Sequence, residues 1–184
     1  MACRCCSQVG LNEIVNLGTT PLANSLLREP QLNQAEPAWP LVLVWCPSCS
    51  LAQITETVPP ESMFREYAYF SSCSDTMVAH ARAIAERLVP ARHLDSNSLV
   101  VEIASNDGYL LQWYQQQQIP VLGIEPARNI AQVAVEQRGV PTISEFFGVD
   151  LAGELAAKGQ MADVIHANNV LAHVPDLNGV VEGF

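Results

Sequence analysis

Apolar and polar positions change rhythm along this chain, and the change predicts its organisation. In the second half, Leu99-Val-Val-Glu-Ile103 and Val121-Leu-Gly-Ile124 are short, almost unbroken apolar runs bounded by turn residues. Runs of this kind read as strands buried on both faces. The pattern predicts strands at 99–104, 121–125, 141–143 and 163–168, with helices at 108–118, 127–138 and 149–158 between them. Pro126 pre-sets the first turn of the middle helix, and Gly139 and Gly159 stop the last two. Upstream, Met77, Ala81, Ile84, Ala85 and Leu88 fall on one face of a helix over 74–92, which Ser74 or Asp75 can cap. Strands alternating with helices of this length predict a parallel sheet with covered faces.

The first 57 residues have another texture. Pro21, Pro30, Pro37 and Pro40 break up helical periodicity, and Leu41-Val-Leu-Val-Trp45 is the clearest strand. Val58-Pro-Pro60 then marks a boundary. The expected organisation is a small domain at 1–57, a linker with a helical segment at 58–98, and an α/β domain at 99–184.

Composition narrows the function. Of 184 residues, 49% are hydrophobic and only 15% charged, which argues against disorder. A net charge of −10, with nine scattered basic residues, excludes the basic face that a nucleic-acid partner requires. No apolar run approaches the ~20 residues of a bilayer span, so no membrane partner is expected. Met-Ala-Cys-Arg-Cys-Cys6 has no signal-peptide core, so a cytoplasmic location is expected, where cysteines serve metals more often than disulfides. The chain stops at Val180-Val-Glu-Gly-Phe184 as a helix begins, and reads as the amino-terminal part of something longer. Oligomeric state is not legible.

Two cysteine pairs, Cys3-x2-Cys6 and Cys46-x2-Cys49, have the spacing of zinc knuckles. Each pair grips one side of a tetrahedral ion, and together they close the site as a structural Zn2+ centre. Cys5 falls outside the register, and Cys73 stands alone and reads as a packed residue.

The α/β half carries the other chemistry. Strand, turn with Gly108, helix and second strand ending in Glu125 form a nucleotide-binding βαβ unit. Its turn is Glu102-Ile-Ala-Ser-Asn-Asp-Gly108, so the leading glycines that let a backbone approach a pyrophosphate are missing. A nucleoside without phosphates suits it better, and S-adenosylmethionine (SAM) is the common one. Main-chain amides from Ala104, Ser105 and Asn106 to Gly108 would face its methionine part, while Glu125, followed by Pro126, would take the ribose hydroxyls. Glu102 supports the turn or approaches the amino group. Phe146 or Phe147 would cover the adenine, with core packing the competing reading for each, and Asn168 and Asn169 end the fourth strand beside the sulfonium.

These segments resemble the sugar C-methyltransferases of deoxysugar biosynthesis, which join an amino-terminal zinc-binding domain to a SAM methyltransferase domain and a carboxyl-terminal domain. The resemblance rests on Cys3-Arg-x-Cys6, Leu17-Gly-Thr-Thr-Pro-Leu-Ala-Asn24, Cys46-Pro-Ser-Cys49-Ser-Leu-Ala-Gln53 and Val58-Pro-Pro60. It continues through Tyr67-Ala-Tyr-Phe-Ser-Ser72, Glu102–Gly108, Gly123-Ile-Glu-Pro126, Glu145-Phe-Phe147 and Ala167-Asn-Asn-Val-Leu-Ala-His-Val174. It implies a Rossmann-like sheet, incomplete at about four parallel strands, behind a small zinc-binding domain. It also implies methyl transfer from SAM to carbon 3 of a nucleotide-linked 4-keto-deoxysugar through an enolate. Tyr67 or Tyr69 then lies at the keto sugar, Tyr67 being favoured, and His173 is a candidate proton acceptor or substrate contact. His166 reads as structural. Family members carry a Glu-His pair further on, past residue 184, as a candidate base. Two competing readings are an O- or N-methyltransferase of another small metabolite and a non-catalytic zinc- and SAM-binding module.

Overall fold

The computed structural model describes residues 1–23 and 25–184; Asn24, in the Leu17–Asn24 motif, lies outside the described residues. The chain divides into two compact units, one of Met1–Met63 with Pro175–Asn178, the other of Phe64–Val174 with Gly179–Phe184.

The first unit is built on an antiparallel sheet in the order β1-β2-β3, with β1 at Asn12–Pro21, β2 at Ala38–Trp45 and β3 at Ala52–Ile54. Strand β2 starts earlier than the apolar run predicts. Pro40, which cannot donate to a ladder, sits in that early half opposite Thr19, where β3 does not yet pair. Strand β1 escapes sequence reading because its residues are almost all exposed, Leu17 at 61% among them. A short helix, α1, spans Pro60–Phe64.

In the second unit, α2 (Asp75–Arg92) starts as expected, with the Ser74 hydroxyl accepting from the amide of Met77. Four parallel strands follow in the order β6-β5-β4-β7: β4 Val100–Ile103, β5 Val121–Ile124, β6 Thr142–Ile143 and β7 Val164–His166. Between and after them come α3 (Leu111–Gln115), α4 (Arg128–Arg138), α5 (Val149–Ala157) and α6 (Leu177–Gly183).

Register explains the core. Partners on parallel strands share a face, so Val100, Val121 and Val164 lie together on one side, where Ala81, Ala85, Leu110, Leu111 and Tyr114 cover them. Val101, Leu122 and Ile165 face the other side with Leu151 and Leu155 of α5. Chain order runs outward from β4 to β5 and β6, then returns to β7 on the far side of β4. The switch point is therefore at β4, and its carboxyl end opens where ligands bind in sheets of this type.

Several boundaries differ from the sequence reading. The helix expected over 108–118 shrinks to α3, because Pro120 disfavours helix at Ile119 and the chain tightens through Gln117 N–H to the Tyr114 carbonyl. Pro126 lies outside α4, whose first turn begins after Ala127. Asn168 and Asn169 sit in the turn beyond β7 rather than ending the strand. Cys73 is exposed, not packed, since it falls in a single 3₁₀ turn over Ser71–Cys73 ahead of α2.

Candidate functional site

The cysteine site is made by two loops with one geometry. The Cys3 amide donates to the Gln8 carbonyl at 2.8 Å and that of Ser7 to the Cys3 carbonyl at 2.9 Å. In the second loop, Cys46 donates to Leu51 at 2.9 Å and Ser50 to Cys46 at 2.8 Å. Ser7 and Ser50, each just after the second cysteine, both take left-handed backbone with φ of 60° and 63°. The tight turns aim amides at sulfur: those of Cys49 and Ser48 bring the Cys46 thiol down to about 6, against the opposing effect of its burial. The amide of Cys6, then that of Cys5, lowers Cys3 in the same way. Gln53, buried beneath, accepts from the Arg4 amide at 2.9 Å and braces the first loop.

The Sγ atoms of Cys3, Cys6, Cys46 and Cys49 lie within 4.8 Å of one another. Cys3–Cys49 is 3.5 Å and Cys6–Cys46 3.6 Å. A tetrahedral ion with Zn–S bonds of about 2.3 Å requires sulfur–sulfur edges of about 3.8 Å. Four thiolates at this spacing fit zinc and leave no position for water. Cys5 is exposed and outside the cluster.

At the mouth of the parallel sheet, the turn after β4 alternates its backbone hand: Ala104, Asn106 and Gly108 have φ of 52°, 49° and 77°. Gly108 is required twice over, for this conformation and because a Cβ would lie 2.9 Å from Val140 Cγ2. Ser105 is fully buried, and its Oγ packs on Gly123 of β5, where a Cβ would stand only 2.5 Å away. The sequence signal for Gly123, overlooked in favour of the acid after it, is a glycine inside a buried strand, which marks a close approach.

Three carboxylates gather here. Glu125 Oε2 accepts from the Asn106 amide and its Oε1 from the Ala127 amide, both at 2.8 Å. It thus ties Ala127, the residue just ahead of α4, to the turn. Burial raises its pKa against the pull of those two amides. Glu102 is wholly buried, its pKa pushed up well above the usual range, chiefly by desolvation and then by Glu125. The side chains of Asn168 and Tyr109 work against that rise, and Glu102 Oε2 has no hydrogen-bond partner among the described residues. Asp107 is neutralised by Arg138 at 3.0 Å and accepts from the Ser72 hydroxyl. Beside Glu102 across the sheet, His166 bonds the Tyr114 hydroxyl at 2.9 Å, and burial lowers its pKa.

The remaining predicted residues differ in setting. Tyr67 is half-buried and tilted against Phe64, with ring centres 6.1 Å apart. Phe146 lies under the Arg65 guanidinium at 4.7 Å, whereas Phe147 packs into the core and stacks on Phe184 at 5.6 Å. Asn168, Asn169 and His173 are exposed on the segment after β7.

Residues 76–183 match the methyltransferase domain family, and residues 3–64 match a zinc binding domain. The chain belongs to the methyltransferase domain family. It is similar to the C-methyltransferase NovU of Streptomyces niveus, 33% identical over 181 residues, covering 98% of this chain and 43% of that protein. The chain thus spans less than half the length of that relative. The methyltransferase domain implies SAM, and the mouth suits it. The unpartnered oxygens on Glu102 and Asp107 are open to a donor such as an ammonium, and the Glu125 carboxylate beside them disfavours a pyrophosphate. Among the described residues no helix is long and apolar enough to cross a membrane.

Proposed function

We propose that this methyltransferase chain serves transfer of a methyl group from SAM to carbon 3 of a nucleotide-linked 4-keto-deoxysugar. The observation that supports the reading most is Glu125, fixed at the tip of β5 by two backbone amides beside the strained turn of β4. Each carboxylate oxygen has a second lone pair, so Glu125 can accept from both ribose hydroxyls while keeping its amide bonds. The main chain of Ala104, Ser105, Asn106 and Gly108 and the Glu102 carboxyl would surround the methionine part. Phe146 would cover the adenine, and Pro126, Asn168 and Asn169 would rim the site; Phe147 supports it from the core. Bound there, SAM supplies an electrophilic methyl group on a sulfonium.

The substrate's carbon 3 lies next to its ketone, so a base can take its proton while the electron pair moves onto the carbonyl oxygen. The Tyr67 hydroxyl would donate to that developing enolate oxygen, and His173 would accept the proton or contact the sugar. Carbon 3 then takes the methyl group as the carbon–sulfur bond breaks, leaving the methylated ketone and S-adenosylhomocysteine. The protein's contribution is largely alignment. The four cysteines would hold structural zinc within the amino-terminal unit.

Titration calorimetry tests the cofactor assignment. SAM should bind and NAD should not, and Glu125→Ala should weaken SAM by about 2–3 kcal/mol through lost charged hydrogen bonds. Binding of NAD in place of SAM overturns the reading. With the full-length protein, the hydrogen on carbon 3 of a nucleoside diphosphate-linked 4-keto-deoxysugar should exchange in D2O; an O- or N-methyltransferase needs no such exchange.

A further inference from the structure

Two asparagine side chains hold the Tyr67–Ser72 segment by its backbone. Asn129, in the first turn of α4, accepts the Tyr67 amide on Oδ1 at 3.1 Å and donates Nδ2 to the carbonyl of the same residue at 2.7 Å. Asn106, in the turn after β4, accepts the Ser71 amide at 2.8 Å and donates to the Tyr69 carbonyl at 3.1 Å. The Arg128 amide adds a bond to the Arg65 carbonyl, and the Ser72 hydroxyl donates to Asp107. All these bonds spend main-chain groups or Ser72; none uses a tyrosine hydroxyl.

A planar amide that pairs with both the N–H and the C=O of one residue fixes the peptide planes on both sides of it. That sets the direction of the Cα–Cβ bond, and hence where the Tyr67 ring points. Aspartate at 129 would keep the acceptor but set an oxygen against the Tyr67 carbonyl, and alanine would remove both contacts. The same turn that binds Glu125 through the Asn106 amide thus also anchors the tyrosine segment through the Asn106 side chain.

We infer that Asn129 is a positioning residue that aims Tyr67 into the reaction site, with Asn106 holding the far end of the same segment. This rests on the proposed role of Tyr67 at the keto oxygen. Neither side chain touches the reacting atoms; both act through the backbone they grip.

Amide hydrogen exchange followed by NMR reads the contact without substrate. In Asn129→Ala the Tyr67 amide should exchange about tenfold faster while that of Ser71 holds its rate. Asn106→Gly, which tolerates the left-handed backbone at that position, should do the reverse. In the full-length enzyme, Asn129→Ala should cut kcat about tenfold or more with the KM for SAM unchanged. In a Tyr67→Phe background the same change should cost less than about twofold, because its only route of action is gone. Unchanged exchange at Tyr67 overturns the inference. So does an equal kcat loss in both backgrounds, which leaves Tyr67 in the mechanism and Asn129 a general stabiliser. A Tyr67→Phe enzyme at full rate removes the reading of Tyr67 itself, and the positioning role falls with it even where exchange responds.

Discussion

Gly123→Ala is the most decisive single substitution in the parallel-sheet unit, because the collision it creates joins the fold to the site. The added methyl would stand 2.5 Å from Ser105 Oγ, 2.9 Å from Thr142 Oγ1 and 3.1 Å from Ser105 Cβ. Ordinary contact needs close to 1 Å more at the nearest of these. Ser105 is wholly buried and sits between Ala104 and Asn106, both in left-handed backbone, so it yields only by moving the turn. Overpacking of this kind costs about 1–3 kcal/mol. For a chain of this size the loss is a drop of roughly 3–10 °C in melting temperature. Displacing the turn should weaken SAM by about tenfold, since 1.4 kcal/mol is one decade. Thermal unfolding by circular dichroism and SAM calorimetry read the two effects. Gly153→Ala is the control: it lies exposed in α5 with open space where the methyl would go, and should stabilise by about 0.5–1 kcal/mol. Adding Ser105→Gly to Gly123→Ala removes the two Ser105 contacts and should recover much of the loss. A Gly123→Ala protein as stable as Gly153→Ala, with wild-type affinity for SAM, would refute the close packing of turn on strand.

Cys46→Ala, or chelation, should unfold the amino-terminal unit while the parallel sheet persists, because thiolates at 3.5 and 3.6 Å need a cation between them. Elemental analysis of the purified protein should find about one zinc per chain; a metal-free, folded protein would contradict this. Glu102 has a raised pKa when folded, so its ionisation costs stability from the unfolded value of about 4.3 upward until the folded value is passed. Glu102→Gln should therefore gain more on wild type at pH 8 than at pH 5 in denaturant melts, and a constant difference would remove that linkage. Burial lowers the pKa of His166, so the fold loses stability as pH falls below the unfolded value of about 6.5, and His166→Gln should flatten the acid limb of the same curve.

The sheet was legible because its strands are covered on both sides and read as plain apolar runs. The cysteine site was legible because ligand spacing is local. Strand β1 was not, since Ile14, Val15 and Leu17 are exposed and its ladder, not burial, holds it. Helix α3 was overdrawn because apolar periodicity carries no notice of Gly108 and Pro120 crowding its ends. Asn129 was missed for a different reason. An asparagine in a first helical turn reads as a local capping group, whereas here its partners lie 62 positions away in sequence. Asn106 was read as a backbone contact to a ligand, and its side chain went to a segment whose proximity no spacing rule encodes.

Along one face of the sheet, the row Val100–Val121–Val164 gives way two residues later to Glu102, Gly123 and His166. That step works as a waterline. Below it, side chains are interchangeable only with others of like volume; above it, charge and hydrogen bonding decide what docks. Such a division keeps the volume-packed row that holds the strands in register apart from the polar row, whose pairing a substitution there would change.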